Sequence, residues 1–311
     1  MKINVLCCFL FVLAEAGCTA HRQVDVGQVG EIRELTSNAS PTPVADELFL
    51  QRAQSDKLEL ATTMYAEWLE QRHDLFGVAT MDDKEVESLA LSHAWNAEDA
   101  HVLLRLSMVF YYKGIVQARS RSDSLEYYER AKNWALATVC INETVQARMA
   151  AGFDLRDLTD VLRFEDHPGV SWYLGAWVRT GEVRGVVASL RSIAHLIVLY
   201  EWMIEQKPDY WGSSPHMAMG GIYSLLPRSM GGDIELGKRH FERAMELAPE
   251  YLESKVLYAE YYLLPQGQRQ PFEELIDEII STQIDPGLFE LDNELAQQRA
   301  TELKENIDKL F

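Results

Sequence analysis

No proline occurs from Val44 to His167. That constrains the fold more than any other feature, because a proline inside a helix removes a backbone donor and clashes with the preceding turn. Long helices are therefore permitted across this span. Apolar residues recur there, and in the rest of the chain, at helical spacing, while alternating apolar–polar runs are scarce after residue 46. The spacing predicts helices near 46–72, 83–93, 97–117, 123–149, 170–180, 183–206, 214–226, 233–247, 252–263, 270–281 and 288–310. Breakers separate the later ones: Gly181, Pro208, Pro227, Gly231-Gly232, Pro249, Pro265 and Pro286-Gly287. The expected fold is all-α.

The beginning of the chain reads differently. Lys2 precedes an apolar run from Val5 to Ala14, too short to span a bilayer and of the length of a signal-peptide core. Ala16 and Gly17 then precede Cys18. The pattern resembles a bacterial lipoprotein signal, with Glu15 where the usual box has a small apolar residue. The resemblance implies removal of residues 1–17 and lipidation of Cys18, a stable anchor for a body that stays in water. The alternative is an ordinary secretory signal or an uncleaved anchor. Residues 18–46, rich in small polar residues with Pro41 and Pro43, are expected to tether that body. Three of the four cysteines lie in the leader, so Cys140 has no intrachain disulfide partner in the body. Its apolar neighbours mark it as a small buried hydrophobe.

Charge narrows the function. Twenty-nine Lys and Arg stand against 48 Asp and Glu, a net −19. Such a surface repels phosphate backbones and gains nothing from polybasic docking on anionic lipid, so nucleic acid is not an expected partner and the lipid anchor is the expected membrane contact.

Two segments match at an offset of 113. Ser124, Tyr128, Ala131 and Ala135 align with Gly237, Phe241, Ala244 and Ala248. The spacing i, i+4, i+7, i+11 keeps all four on one helical face. Small residues there let a neighbouring helix approach closely, and the aromatic fills the gap. This is similar to the second helix of a tetratricopeptide (TPR) repeat, with Pro249 where such a repeat ends. Residues 47–311 are expected to form TPR-like helix-turn-helix pairs stacked into a compact α-solenoid-like domain with a concave binding face.

The second half carries a more specific order: Trp172-Tyr173-Leu174-Gly175-Ala176-Trp177, then Gly212-Ser213-Ser214-Pro215-His216, Pro227, Gly231-Gly232, His240-Phe241-Glu242-Arg243-Ala244, Tyr258-Ala259-Glu260-Tyr261-Tyr262, Gln297-Gln298-Arg299-Ala300 and Asp308-Lys309-Leu310-Phe311. That order resembles the TatT family, the T component of tripartite ATP-independent periplasmic (TRAP) transporters, over roughly residues 50–311 and most closely from 170. The resemblance implies a periplasm-facing lipoprotein, a homotrimer, docking of a solute-binding P component and through it the permease, and a cleft or pore that passes a hydrophobic or organic-acid ligand. The lipid is expected in the outer membrane rather than the inner. The same signal, tether and helix pairs also suit a TPR-like scaffold for envelope or outer-membrane complex assembly.

The candidate site residues are aromatic and polar. Trp172, Tyr173 and Trp177 fall at i, i+1 and i+5 and need not share a face. Tyr210 and Trp211, in a small-residue loop, suit the wall of an apolar cleft; Trp211 and His216 equally suit packing at a helix entry. Ser213 or Ser214 is expected to cap the helix that follows, with Pro215 in its first turn. Gly231-Gly232 before Asp233 reads as a tight turn and N-cap, and beside it Arg228 and Ser229 are candidates to face a polar ligand or partner.

Catalytic signatures are missing. None of the eight histidines has metal-ligand spacing; His195, in an apolar run, reads as a core histidine. No nucleophile elbow, P-loop or dinucleotide fingerprint occurs. The acidic stretch from Asp154 to Asp166 departs from a calcium loop and is expected as a solvated connector. A non-catalytic binding component without cofactor or metal is expected. The closing stripe of Ala296, Ala300, Leu303, Ile307 and Leu310 is expected to dock on the body or on another subunit.

Overall fold

The computed structural model describes residues 42–311. Cys18, the leader and all but the end of the tether lie outside these residues. The described residues are helical, with no strand among them. They divide into two compact units, one ending at Leu196 and one spanning Ile197–Phe311.

The first unit holds α1 (Pro43–Leu50), α2 (Ser55–His73), α3 (Asp83–Ser92), α4 (Ala100–Val116), α5 (Arg121–Val139), α6 (Glu143–Ala150) and α7 (His167–Arg184). Polar residues fix the starts. Asp82 accepts from the Lys84 and Glu85 amides while Glu85 reaches back to the Asp82 amide, a capping box that opens α3. Ser120 caps α5 through the Asp123 amide. Helix α5 lies at the centre, packed on α3, α4 and α7, and carries the buried Trp134, Ala131 and Ala135.

Four boundaries differ from the periodicity. The helix expected over 46–72 starts at Pro43, inside the expected tether, and breaks after Leu50. The break turns Arg52 inward, fully buried, with its guanidinium over the rings of Phe49 and Tyr112. The helix expected over 123–149 breaks at Cys140–Asn142 because the Asn142 side chain caps α6, a local bond that competes with continuing the helix. Helix α7 passes through Gly181 and stops at Gly185, whose φ of 105° suits a residue without Cβ. Between α6 and α7, Asp166 departs from the solvated connector expected there. It is 2% exposed, and its carboxylate accepts from the Asn142 amide at 2.7 Å and the Arg163 backbone at 2.7 Å. A buried carboxylate needs such donors.

Helix α8 (Val186–Gln206) crosses from one unit's residues to the other's. The side chain of His195 on it lies outside the described residues. The second unit holds α9 (Tyr210–Leu225), α10 (Ile234–Leu247), α11 (Glu253–Tyr258), a π-helical turn at Ala259–Leu263, α12 (Arg269–Ser281), α13 (Glu290–Glu305) and α14 (Ile307–Leu310). Asp233 caps α10 as expected, accepting from the Glu235 and Leu236 amides, and Gly231 makes the tight turn before it at a φ of 92°.

The repeated pattern has a physical basis in both units. A Cβ on Gly114 of α4 would lie 2.4 Å from the Tyr128 ring on α5; a Cβ on Gly220 of α9 would lie 2.7 Å from the Phe241 ring on α10. Each unit thus has a helix pair in which a glycine on the first helix admits an aromatic from the second. Gly237 adds a close approach, since a Cβ there would meet Ser224 Oγ at 2.3 Å and the Gly220 carbonyl at 2.9 Å. Burying Phe241 completely contributes about 2–3 kcal/mol. The C-terminal stripe docks on its own unit: Ala296, Ala300 and Leu303 are buried among Val256, Phe272, Ile276 and Ile279, with Ile307 and Leu310 packed against them.

Candidate functional site

The aromatic triplet of α7 divides between core and surface. Trp172 is 5% exposed and meets Tyr111 edge-on, with ring centroids 5.2 Å apart, so it is a core residue. Tyr173 and Trp177, one turn apart, pack together at 6.3 Å and are half-buried. Tyr173 lines a cleft of about 270 Å³ contained in the first unit. Glu87 and Leu91 of α3, Lys132, Asn133 and Leu136 of α5, Met149 of α6 and the Gly152-Phe153-Asp154 loop complete its wall. Burial pushes the Tyr173 hydroxyl above its ordinary pKa, and the Asp154, Glu129 and Glu87 carboxylates add to the rise. A wider groove runs along α3 from Met81 to Ser92 and includes no predicted site residue.

The second unit gathers Trp211 and His216. Trp211, Gly212 and Ser213 are three consecutive left-handed residues, at φ 43°, 62° and 62°. Only Gly212 is suited to that region, so the tryptophan and serine hold strained backbone. Packing maintains it. Trp211 lies edge-on to Phe289 at 5.6 Å, Phe289 meets Tyr251 at 4.9 Å, and a Cβ on Gly212 would fall 2.3 Å from the Tyr251 ring. The expected serine cap is absent. Ser213 donates to the Pro208 carbonyl at 2.8 Å and Ser214 to that of Tyr210 at 3.3 Å. Satisfying carbonyls before the turn stabilises its reversal. His216 is 9% exposed, with Nδ1 2.9 Å from Nδ1 of His240, and Tyr223 stacks on the His240 ring at 5.7 Å. Trp211 and His216 thus pack at the helix entry. Burial lowers the pKa of both rings, with the His240 and Arg243 charges lowering His216 further, to about 4, and Arg239 lowering His240. One neutral ring donates and the other accepts. Arg228 and Ser229 are exposed on a 3₁₀ turn at Arg228–Met230, with no side-chain partner among the described residues.

A second histidine pair escaped sequence reasoning. His73 Nε2 lies 2.9 Å from Asp99 Oδ1, and His93 Nε2 lies 3.0 Å from His73 Nδ1. Asp99 is fully buried and also accepts from Arg72 Nε at 2.9 Å. With the His73 Nε2–H donating to the carboxylate, Nδ1 is left as the acceptor for His93. Burial and the neighbouring His73 lower the His93 pKa. This is a chain of oriented rings; no group of three His, Cys, Asp or Glu side chains among the described residues is placed to hold a metal ion. Sequence spacing gave no signal for it, whereas His216 and His240 flank the glycine–aromatic contact of α9 and α10 and were findable once Phe241 was aligned with Tyr128.

The helix pairs, the α7 aromatics and the Trp211 turn lie in the segment that decides the family. Residues 112–311 match the family model of the TRAP transporter T-component. The chain belongs to that family. The match begins within α4 and takes in both glycine–aromatic pairs, the Tyr173 side of the cleft and the whole second unit. No curated protein matches the chain. A T-component is an accessory of a TRAP transport system on the periplasmic side, and the family is not a known enzyme family. No helix among the described residues is long and apolar enough to cross a membrane.

Proposed function

We propose that this T-component docks a solute-binding P component beside the TRAP permease and holds a small ligand in the first-unit cleft, without transforming it. One observation carries the ligand reading. The cleft joins an apolar floor of Leu91, Leu136 and Met149 to the Tyr173 hydroxyl, which has no protein partner among the described residues. Small-ligand sites have that composition, a mostly apolar wall with a few polar groups that set orientation. The transport family supplies the context for docking.

The chain is held to the membrane by lipid on Cys18, with the outer membrane as the favoured site, and works as a homotrimer. The test is affinity capture from detergent-solubilised membranes of cells that express the transport system. Retention of a P component is expected, as is loss of membrane association in Cys18→Ala. Capture of the full lipoprotein without any P component refutes the docking reading. Native mass spectrometry of the captured protein checks the cleft: a bound small molecule lost in Tyr173→Ala supports it, and one that survives this change refutes it.

A further inference from the structure

The Asp99–His73–His93 chain sits where it can act on the first-unit cleft. His93 closes the C-terminal end of α3, and Glu87 and Leu91 just before it line the cleft. Two ties hold this end. From α6, Gln146 donates to the Ala90 carbonyl at 3.0 Å and to the His93 carbonyl at 2.7 Å, and Met149, one turn on, lines the cleft. From α2, His73 meets the His93 ring at 3.0 Å. Fully buried Asp99 fixes His73 in turn, and its other donors are Arg72 Nε and the Asn96 backbone amide, at 2.8 Å. Trp95, 5% exposed, packs on both imidazoles, 4.4 Å from the His93 ring and 5.3 Å from that of His73.

The chain has one open basic site. His73 Nε2–H is directed to Asp99 and His73 Nδ1 accepts from His93 Nε2–H, so the base left over is Nδ1 of His93. A proton there makes a cation of a half-buried ring set against His73 and Trp95. That charge is poorly answered. Asp99 attracts it, but this carboxylate already faces the Arg72 guanidinium, which also pairs with Glu98, and α6 presents only the uncharged Gln146 amide. Burial, with His73 acting in the same sense, outweighs Asp99 and lowers the His93 pKa. A His93 ring released into water takes the proton more readily, so falling pH favours its departure from His73. The contact is therefore complete above the ordinary histidine value of 6.5 and weakens as pH falls toward the lowered one.

We propose that this chain is an acid-released catch on the α3 wall of the cleft. In its neutral form it ties the end of α3 to α2; one proton at His93 frees the 93–99 segment and, with it, the end of α3 that carries Leu91. What the catch regulates rests on the reading that the cleft holds a ligand, which acid would then release. The catch itself does not need that reading.

The test is hydrogen exchange of the full chain, read by mass spectrometry from about pH 8 to about pH 5, the range in which histidine titrates, with each rate corrected for the intrinsic pH dependence of exchange. Protection of the 93–99 amides is expected to fall several-fold across that range, and further than that of the α5 amides around Trp134. In His93→Gln, whose amide can still donate to His73 but takes up no proton, it should not change with pH. Protection of 93–99 that stays level in the wild-type chain overturns the catch, as does an equal fall in α5. The same fall in the variant overturns it as well, and the first two outcomes are read on the wild-type chain whatever the stability of the variant. Exchange is measured without added ligand, so the two readings fail separately: absence of a cleft molecule from the captured protein overturns release of a ligand by acid, while the 93–99 amides still decide the catch.

Discussion

Substituting alanine at Gly212 tests how the left-handed turn inside α9 is held. Two costs act there. Its φ of +62° lies where an L-residue pays about 1–2 kcal/mol. The new Cβ would also sit 2.3 Å from the ring of Tyr251, which is 3% exposed and wedged against Phe289. Overpacking of that kind costs a further ~1–3 kcal/mol. Gly267 of the same unit separates the two effects: its φ is +64°, and a Cβ there meets nothing within 4 Å. Gly267→Ala should therefore lose about 1–2 kcal/mol and Gly212→Ala about 2–5 kcal/mol. Urea unfolding followed by tryptophan fluorescence measures both, since Trp211 adjoins the perturbed ring. Equal losses would show that the Tyr251 ring yields freely and that packing does not hold the turn.

The buried histidine pair predicts a pH dependence. The folded pKa of His216, about 4, lies below the ordinary value of 6.5, so the unfolded chain binds more protons between the two. Stability present above pH 6.5 is thus lost as pH falls toward 4, by about 2–3 kcal/mol; urea midpoints against pH should flatten in His216→Gln, and an equal slope in this variant excludes the pair as the source. Asn142→Ala removes the α6 cap and the amide that donates to the Val161 carbonyl and to Asp166, and should cost about 2–4 kcal/mol in chemical denaturation; a loss below about 0.5 kcal/mol contradicts that assignment. Burial pushes the Cys140 thiol up to about 12, so in a variant whose only thiol is Cys140, alkylation at pH 8 should proceed only on unfolding. Rapid labelling of the folded protein would refute it.

Much of the fold was legible because helical periodicity and caps act locally. Asp233 and the Gly231 turn were readable from adjacent residues, and the alignment of Tyr128 with Phe241 exposed the close-packed faces. Arg52 and Asp166 were not legible. Each is a charged residue whose burial depends on groups distant in sequence: the Tyr112 ring for one, the Asn142 amide for the other. The site divided in the same way. Periodicity left Trp172, Tyr173 and Trp177 without a common face; the fold pairs Tyr173 with Trp177 and sets Trp172 against Tyr111. The Asp99–His73–His93 chain joins three separate segments, and no local rule gathers them.

Each unit has a glycine–aromatic lock between paired helices, yet its two members are farther apart along the chain in the Gly220–Phe241 copy than in the Gly114–Tyr128 copy. What is held constant is the seat and the ring; the connecting segment is free to lengthen. Extra residues spliced into the exposed bend around Ser229 should therefore be absorbed without unseating Phe241, so this bend is a natural place for relatives to differ and for an experimenter to graft a tag.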